Sequence, residues 1–332
     1  MKTRIAINGF GRIGRVFLRT VINRSDIEVV AINDLADVFT MKHLLKFDSV
    51  HRTFEGTVDC SENTLIVNGH KIQYTSEVQP HRLSWKELKV DIVVECTGQF
   101  RSYDLAYQHI QAGAKKVIIS APPTDDKMKT IVMGVNDDLI SANDIILSNA
   151  SCTTNSAAPM IDLIDTHFGI ESAYITTVHS YTTDQRLRDS PHVDLRRARA
   201  GASSIIPTTT GAAKAITKIF PHLEGKIGGC GIRVPVPDGS LTDITCIVKT
   251  KTTENSVNHL FKQQAADSLK GIVSFTDTPI VSVDVLGNSH SCVFDSLLTS
   301  VIGKMVKVVA WYDNEVGYSS RLLDLVLKIR SI

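Results

Sequence analysis

A short apolar run, Thr3–Asn8, leads into Gly9-Phe10-Gly11-Arg12-Ile13-Gly14 and then into a helical periodicity over Arg12–Asn23. A G-x-G-x-x-G turn between a strand and a helix is one of the few short patterns that dictates a local architecture. Gly9 allows the tight turn, Gly11 lets the backbone approach a pyrophosphate, and Gly14 permits close helix–strand packing. The helix N-terminus then offers unpaired N–H groups and a positive partial charge to phosphates. A second strand, Glu28–Asn33, ends at Asp34, about 20 residues beyond Gly14, where a carboxylate can bond both hydroxyls of an adenosine ribose. The same charge repels a 2′-phosphate, so the expected cofactor is NAD rather than NADP.

Further runs, Asp91–Cys96, Lys116–Ser120, Thr130–Met133 and Asp144–Leu147, alternate with a helix over Leu105–Ala112. Apolar runs interleaved with helices argue for a parallel sheet covered on both faces. Thr57–Tyr74 is more polar and alternating, with Asn68-Gly69 as a hairpin signal, and reads as an antiparallel insertion. Thr97 and Ser120 fall at the C-terminal ends of two runs, the edge of a doubly wound sheet where ligands bind. Beyond about residue 150 the strand candidates lengthen: Ala173–His179, Lys226–Val236, Asp243–Val248 and Ile280–Val285. A last helix is expected over Ser319–Ile332. The expected fold class is α/β, a Rossmann-type doubly wound parallel sheet with a second α+β domain on a mainly antiparallel sheet. The expected division is an NAD-binding domain over 1–150, completed by a C-terminal helix over 315–332, and a catalytic, substrate-binding domain over 151–314.

Composition narrows the partners. The 332 residues suit two domains. Thirty-six Lys+Arg against 35 Asp+Glu leave a net charge of +1, and only 6% of residues are aromatic, so no nucleic-acid partner is expected. No apolar run approaches the roughly 18 residues of a membrane span, and no signal-peptide core opens the chain. The six cysteines, at 60, 96, 152, 230, 246 and 292, form no C-x-x-C pair. They are expected to be thiols in a cytoplasmic protein, and no metal site is expected.

Cys152 differs from the other five. Ser151-Cys152-Thr153-Thr154-Asn155 follows a strand and precedes an apolar helical pattern, whereas the others sit in or beside apolar strands or in the insertion and read as small hydrophobes. A helix N-terminus lowers a thiol's pKa toward the thiolate. A thiolate nucleophile needs a base beside it, typically histidine. Of eleven histidines, His179 ends a strand and opens a long polar loop, unlike His109 in a helix or His70 in a turn. That loop carries Arg186, Arg188, Arg196, Arg197 and Arg199 and is followed by Thr208-Thr209-Thr210-Gly211. Arginine with threonine hydroxyls and a glycine N–H makes a phosphate site, although most of these arginines read better as a solvated or subunit-bridging run. Arg233, on a strand between Ile232 and Val234, requires an anionic partner.

Together these motifs resemble the phosphorylating glyceraldehyde-3-phosphate dehydrogenase family, bacterial type, nearly end to end. The resemblance is carried by INGFGRIGR (Ile7–Arg15), AIND (Ala31–Asp34), ECTG (Glu95–Gly98), SNASCTTN (Ser148–Asn155) and TTVHSYT (Thr176–Thr182). DLRRARA (Asp194–Ala200), SIIPTTTGAAKA (Ser204–Ala215) and WYDNEVGYS (Trp311–Ser319) complete it. It implies oxidation and phosphorylation of glyceraldehyde 3-phosphate to 1,3-bisphosphoglycerate with reduction of NAD, a glycolytic step running through a cysteine thiohemiacetal and thioester. Cys152 would be the nucleophile and His179 its base. Thr182, Arg233 and one of Arg196 and Arg197 would hold the substrate phosphate. Ser151, Thr210 and Gly211, with Thr153 beside them, would hold inorganic phosphate. Arg12, Ile13, Asp34, Ser120 and Asn314 would contact NAD, Asn314 through the nicotinamide amide. The loop from about Thr182 to Ala202 is similar to one that reaches a neighbouring subunit, which implies a homotetramer. Ser190-Pro191 keeps the proline of NAD-preferring members.

This chain departs from the family pattern at four positions: Ser156 replaces a second cysteine, Arg52 a common glycine, Gln99 a basic residue, and Val78 an arginine near the adenine. Erythrose-4-phosphate dehydrogenase is the nearest rival, but Thr208–Ala215 keeps the glyceraldehyde-type pattern. A non-catalytic NAD-binding or surface-interaction protein is the alternative of another class, against which the intact Cys152 and His179 stand.

Overall fold

The computed structural model describes residues 2–332. The chain divides into two compact units. The first comprises the residues up to Ile131, Asp137–Ala150 and Ser319–Ile332; the second comprises Val132–Asn136 and Ser151–Tyr318.

The first unit contains β1 (Thr3–Asn8), α1 (Arg12–Val21), β2 (Ile27–Asn33) and α2 (Val38–Lys46). Three short strands follow, β3 (Val58–Ser61), β4 (Thr64–Val67) and β5 (His70–Thr75). The remainder is β6 (Ile92–Glu95), α3 (Tyr103–Gln111), β7 (Lys116–Ile119), β8 (Lys129–Thr130) and β9 (Ile146–Ser148). The sheet order is β3-β4-β5-β2-β1-β6-β7-β9-β8. Every pairing is parallel except β3–β4 and β4–β5, so the expected antiparallel insertion is present at one edge. Its turn at Asn68 and Gly69 has φ of 50° and 80°, the two positive values that a two-residue type I′ hairpin requires. The central strands are buried on both faces, which is why β6 reads as the unbroken apolar run IVV before its terminal Glu95. Ala6, Ala31, Trp85, Val93 and Val117 pack in one core cluster on this sheet.

The second unit begins with α4 (Cys152–Phe168) and β10 (Ile170–Ser180), followed by β11 (Ile206–Thr208), α5 (Ala212–Ile219), β12 (Ile227–Val234) and β13 (Ser240–Val248). It continues with α6 (Glu254–Ala266), β14 (Val273–Thr276), β15 (Cys292–Asp295), β16 (Ser300–Ile302) and β17 (Met305–Tyr312). The helix α7 (Val316–Ile329) ends the chain's regular structure, its residues from Ser319 onward belonging to the first unit. The order β11-β12-β10-β13-β17-β15-β14, with β16 beside β17, is antiparallel apart from the parallel pairs β10–β12 and β14–β15. The α/β fold class therefore stands as the sequence indicates.

Two strand expectations fail. Of Thr130–Met133 only Thr130 lies in a strand, at the end of β8. Ile280–Val285 is not a strand: Ser282–Val285 is a 3₁₀ turn. The alternation of VSVDV suggests a half-buried strand, yet Val281 and Val283 are exposed and only Val285 is buried. The Asp284 carboxylate accepts the Val281 N–H at 2.8 Å and closes the turn locally, competing with a ladder in the way aspartate commonly does.

Candidate active site

Each of the three glycines of the turn is required by a different constraint. Gly9 has φ of +91°, and a Cβ there would lie 2.6 Å from the Thr97 nitrogen. A Cβ on Gly14 would lie 2.3 Å from the Gly9 carbonyl oxygen, against β1. A Cβ on Gly11 would meet nothing within 4 Å. Gly11 is the N-cap of α1 and no side chain caps that end, the kind of helix start to which an anion can bind. A cavity of about 380 Å³ adjoins this turn, lined among others by Asn8, Gly11, Asn33, Asp34, Thr97 and Gln99.

Asp34 stands at the end of β2, where its Oδ2 accepts the Phe10 N–H at 2.6 Å and its Oδ1 the Ala36 N–H at 2.9 Å. The carboxylate is thus fixed to the glycine turn while lining the cavity. Gly11 leaves room for a pyrophosphate and Asp34 places an acceptor for ribose hydroxyls, so these residues fit NAD. Arg12, first in α1, pairs with Asp48 at 2.6 Å, and Ile13 is half-buried beside it. Ser120, just past β7, donates its N–H to the Glu95 carbonyl at 2.9 Å. Val78 lines the cavity as an exposed apolar side chain. Arg52 has φ of 64°, a left-handed conformation that glycine adopts without strain.

In the second unit, Ser151 caps α4 by accepting the Thr154 N–H at 3.1 Å, which places Cys152 in the first turn. The sulfur lies 3.4 Å from His179 Nε2. β10 delivers His179 and β12 delivers Arg233 as paired residues of one parallel ladder. Arg233 Nη1 lies 2.6 Å from His179 Nδ1 and 3.0 Å from the Ser180 carbonyl, while Nδ1 is itself 2.7 Å from that carbonyl. Arg233 is thus held beside the imidazole by a main-chain carbonyl.

Burial holds the His179 imidazole down at about 3, with Arg233 adding to the effect. The Cys152 thiol is pushed up by burial, against the downward pull of Arg233 and of Thr153. The expected net lowering by the helix N-terminus does not occur, because desolvation disfavours a charged sulfur more than the first turn favours it.

Tyr312 is a contributor the sequence reading overlooked. Its hydroxyl lies 3.0 Å from both Thr153 Oγ1 and Thr177 Oγ1, and its ring stands edge-on to His179 at 6.0 Å. The hydroxyl of Thr153 is thus engaged with Tyr312. Asn314 is buried, and its Oδ1 accepts from Ser180 Oγ at 2.8 Å and Ser240 Oγ at 2.7 Å, which orients the amide. Thr182 bonds Gln185 Oε1 through both N–H and hydroxyl at 3.3 Å. Arg197 is tied to Asp184 at 2.7 Å and to Thr208 Oγ1 at 2.9 Å, whereas Arg196 is exposed. Thr210 Oγ1 accepts the Ala212 N–H at 3.2 Å, and a Cβ on Gly211 would meet nothing within 4 Å. Ser156, in place of the second cysteine, pairs with Thr242 Oγ1 at 3.0 Å. All six cysteines are free thiols. No helix among the described residues is long and apolar enough to cross a membrane.

A glycine turn that fits NAD is the mark of an NAD-dependent dehydrogenase, and the second unit by itself sets a thiol beside an imidazole and an arginine. Comparison with known proteins narrows this class. The family model "glyceraldehyde 3-phosphate dehydrogenase, NAD binding domain" matches residues 3–103, and "glyceraldehyde 3-phosphate dehydrogenase, C-terminal domain" matches residues 151–314. The chain is 54% identical over 332 residues to glyceraldehyde-3-phosphate dehydrogenase of Thermotoga maritima, covering 98% of this chain and 99% of the relative. It is 51% identical over 333 residues to the Geobacillus stearothermophilus enzyme of that name, covering 100% and 99%. Glyceraldehyde-3-phosphate dehydrogenase 2 of Bacillus subtilis is 51% identical over 328 residues, covering 98% and 96%. The chain belongs to the glyceraldehyde-3-phosphate dehydrogenase family.

Proposed function

We propose that this chain oxidises glyceraldehyde 3-phosphate to 1,3-bisphosphoglycerate with reduction of NAD and consumption of inorganic phosphate. The observation that carries the reading is the Cys152 sulfur 3.4 Å from His179 Nε2, with Arg233 against the far side of the same ring.

Cys152 attacks the aldehyde carbon to give a thiohemiacetal, and His179 takes the thiol proton. His179 Nε2 then holds that proton toward the carbonyl-derived oxygen, on the side where negative charge develops. The glycine turn and Asp34 would hold NAD, which would supply the hydride acceptor for oxidation of the thiohemiacetal to a thioester, with the proton of its oxygen kept on His179. Inorganic phosphate displaces the Cys152 thiolate from the thioester, and the acyl phosphate leaves.

Arg233, Thr182 and Arg197 are the proposed holders of the substrate phosphate, with Arg196 at the edge of the same loop. Ser151, Thr210 and Gly211 are proposed for inorganic phosphate, and Thr153 contributes through the hydroxyl chain to Tyr312. Arg12, Ile13, Asp34, Thr97, Ser120 and Asn314 are proposed for NAD. An anion that draws Arg233 onto itself leaves His179 Nδ1 free to hold a proton against the Ser180 carbonyl, so Nε2 faces Cys152 as a base. Substrate phosphate thereby readies the base. The exposed Leu187, Val193 and Leu195 of the arginine loop support assembly with further copies of the chain, read here as a homotetramer in the cytoplasm.

The test is reduced-cofactor formation from glyceraldehyde 3-phosphate, with and without inorganic phosphate, and with NADP in place of NAD. Dependence on phosphate and NAD is expected. Turnover without phosphate points to the erythrose-4-phosphate reading, and no turnover in folded, reduced protein points to a binding role.

A further inference from the structure

The C-terminal edge of the first unit's sheet carries a buried polar chain that no step above uses. Glu95 ends β6 with 1% exposure, and His109 on α3 has 0%. Four donors converge on the Glu95 carboxylate. Oε1 accepts the Thr97 N–H at 2.7 Å and the Thr97 hydroxyl at 2.5 Å. Oε2 accepts from Asn8 Nδ2 at 2.5 Å and faces His109 Nε2 at 3.0 Å. The Trp85 indole N–H donates to His109 Nδ1 at 3.0 Å. Since an indole nitrogen only donates, Nδ1 is the acceptor, and the ring proton on Nε2 points at Glu95. Beyond Asn8 the chain continues: Asn8 Oδ1 accepts from Asn33 Nδ2 at 2.8 Å, and Asn33 Oδ1 accepts from Thr75 Oγ1 at 2.9 Å and the Glu77 N–H at 2.8 Å.

The ends of β6, β1, β2 and β5 are thus joined under one cavity, and Asn8, Asn33, Glu77 and Thr97 all line it. A buried carboxylate is costly unless its lone pairs are filled. Here every one is filled, and two of the four donors belong to a single cavity-lining residue.

We propose that Glu95 is a positioning residue for cofactor binding. Oriented by His109 and Trp85, it holds the Thr97 main chain and hydroxyl, together with Asn8, in the geometry that accepts the dinucleotide. This rests on the cavity being the NAD site. In Glu95→Gln the amide can keep its oxygen toward Asn8 and His109 only by turning its NH₂ against the Thr97 N–H. A buried donor facing a donor loses its bond and its solvation together. When Asn8→Asp is combined with Glu95→Gln, the new amide donates to the carboxylate introduced at position 8 and returns its oxygen to Thr97. The negative charge then sits one side chain away, at an atom that His109 Nε2 approaches to 3.5 Å.

The test is NAD affinity by calorimetry, beside steady-state kinetics, on the parent, the single variant and the double variant. The parent binding NAD is the control, and its failure to do so would sink the cofactor-site reading itself. Glu95→Gln is expected to raise the dissociation constant and KM for NAD by roughly 10- to 100-fold. The KM for glyceraldehyde 3-phosphate, and kcat at saturating NAD, should stay within about twofold of the parent, and the double variant should recover most of the NAD affinity. A folded Glu95→Gln with parental NAD affinity overturns the proposal, as does a double variant no better than the single one. If the single variant does not fold, a double variant that folds and binds NAD supports the proposal, and one that fails as well overturns it.

Discussion

Arg233 Nη1 and His179 Nδ1 lie 2.6 Å apart, and the Ser180 carbonyl lies 2.7 Å from the same nitrogen, so a donor and an acceptor compete for it. Where the guanidinium donates to Nδ1 the ring proton sits on Nε2, facing the sulfur 3.4 Å away; where Nδ1 donates to the Ser180 carbonyl, Nε2 faces the sulfur as an acceptor. Arg233 also bridges to the Ser180 carbonyl at 3.0 Å, the group that Nδ1 would otherwise bond. The arginine thus lowers both partners, the imidazole and the thiol.

Replacing Arg233 by glutamine removes that cation. The pH profile of Cys152 alkylation by iodoacetamide is expected to move to higher pH, and the KM for glyceraldehyde 3-phosphate to rise roughly 10- to 100-fold for loss of a charge-assisted bond. A shift of the alkylation profile to lower pH would refute the electrostatic account.

Cys152→Ser is expected to abolish aldehyde oxidation, and His179→Asn to lower kcat by about 10²- to 10⁴-fold, the usual span for a general base. Neither residue belongs to the glycine turn or to Asp34, so NAD affinity should hold in both. Calorimetry beside stopped-flow acylation separates the two effects, and a parallel loss of NAD binding would mean the fold was damaged instead.

Asp34→Ser leaves the Phe10 and Ala36 N–H groups less well accepted and removes the charge that repels a 2′-phosphate. The ratio of kcat/KM with NAD to that with NADP should fall by roughly 10- to 100-fold. An unchanged ratio would place the cofactor discrimination elsewhere.

Ser156→Ala strands the Thr242 hydroxyl in the core of the second unit. Unfolding in urea should show a loss of about 1–3 kcal/mol, with turnover unaltered. Equal stability would show that the pair contributes nothing net.

Burial, and then the negative charges of Asp313 and Glu315, raise the Asp238 carboxyl to about 9. Between the ordinary carboxylate range and that value the folded chain holds a proton that the unfolded chain has lost. This contribution is therefore fully present at acid pH and declines as pH rises through the window. Asparagine mimics the protonated acid, so Asp238→Asn should flatten the fall of the melting temperature between about pH 5 and 9. A steeper fall than in the parent would contradict the assignment.

Features that depend on neighbours in sequence were readable from the residues alone. The turn of Gly9, Gly11 and Gly14 and the Asn68-Gly69 hairpin are set by backbone sterics within a few residues, and Asp34 follows from the length of one strand–helix–strand unit. Cys152 was visible because a polar Ser-Cys-Thr-Thr-Asn segment at a helix start is a poor core. Long-range pairs were not visible. Glu95 ends an apolar strand and His109 lies within a helix, and either looks unremarkable until β6 and α3 meet. Tyr312 joins Thr153 across 159 residues of chain. The sign of the thiol's shift was also out of reach, since a local rule supplies the helix N-terminus while burial, a property of the assembled unit, outweighs it. Local conformational preference belongs to the sequence by itself; desolvation and the pairing of buried donors with acceptors arise only when distant strands close on one another.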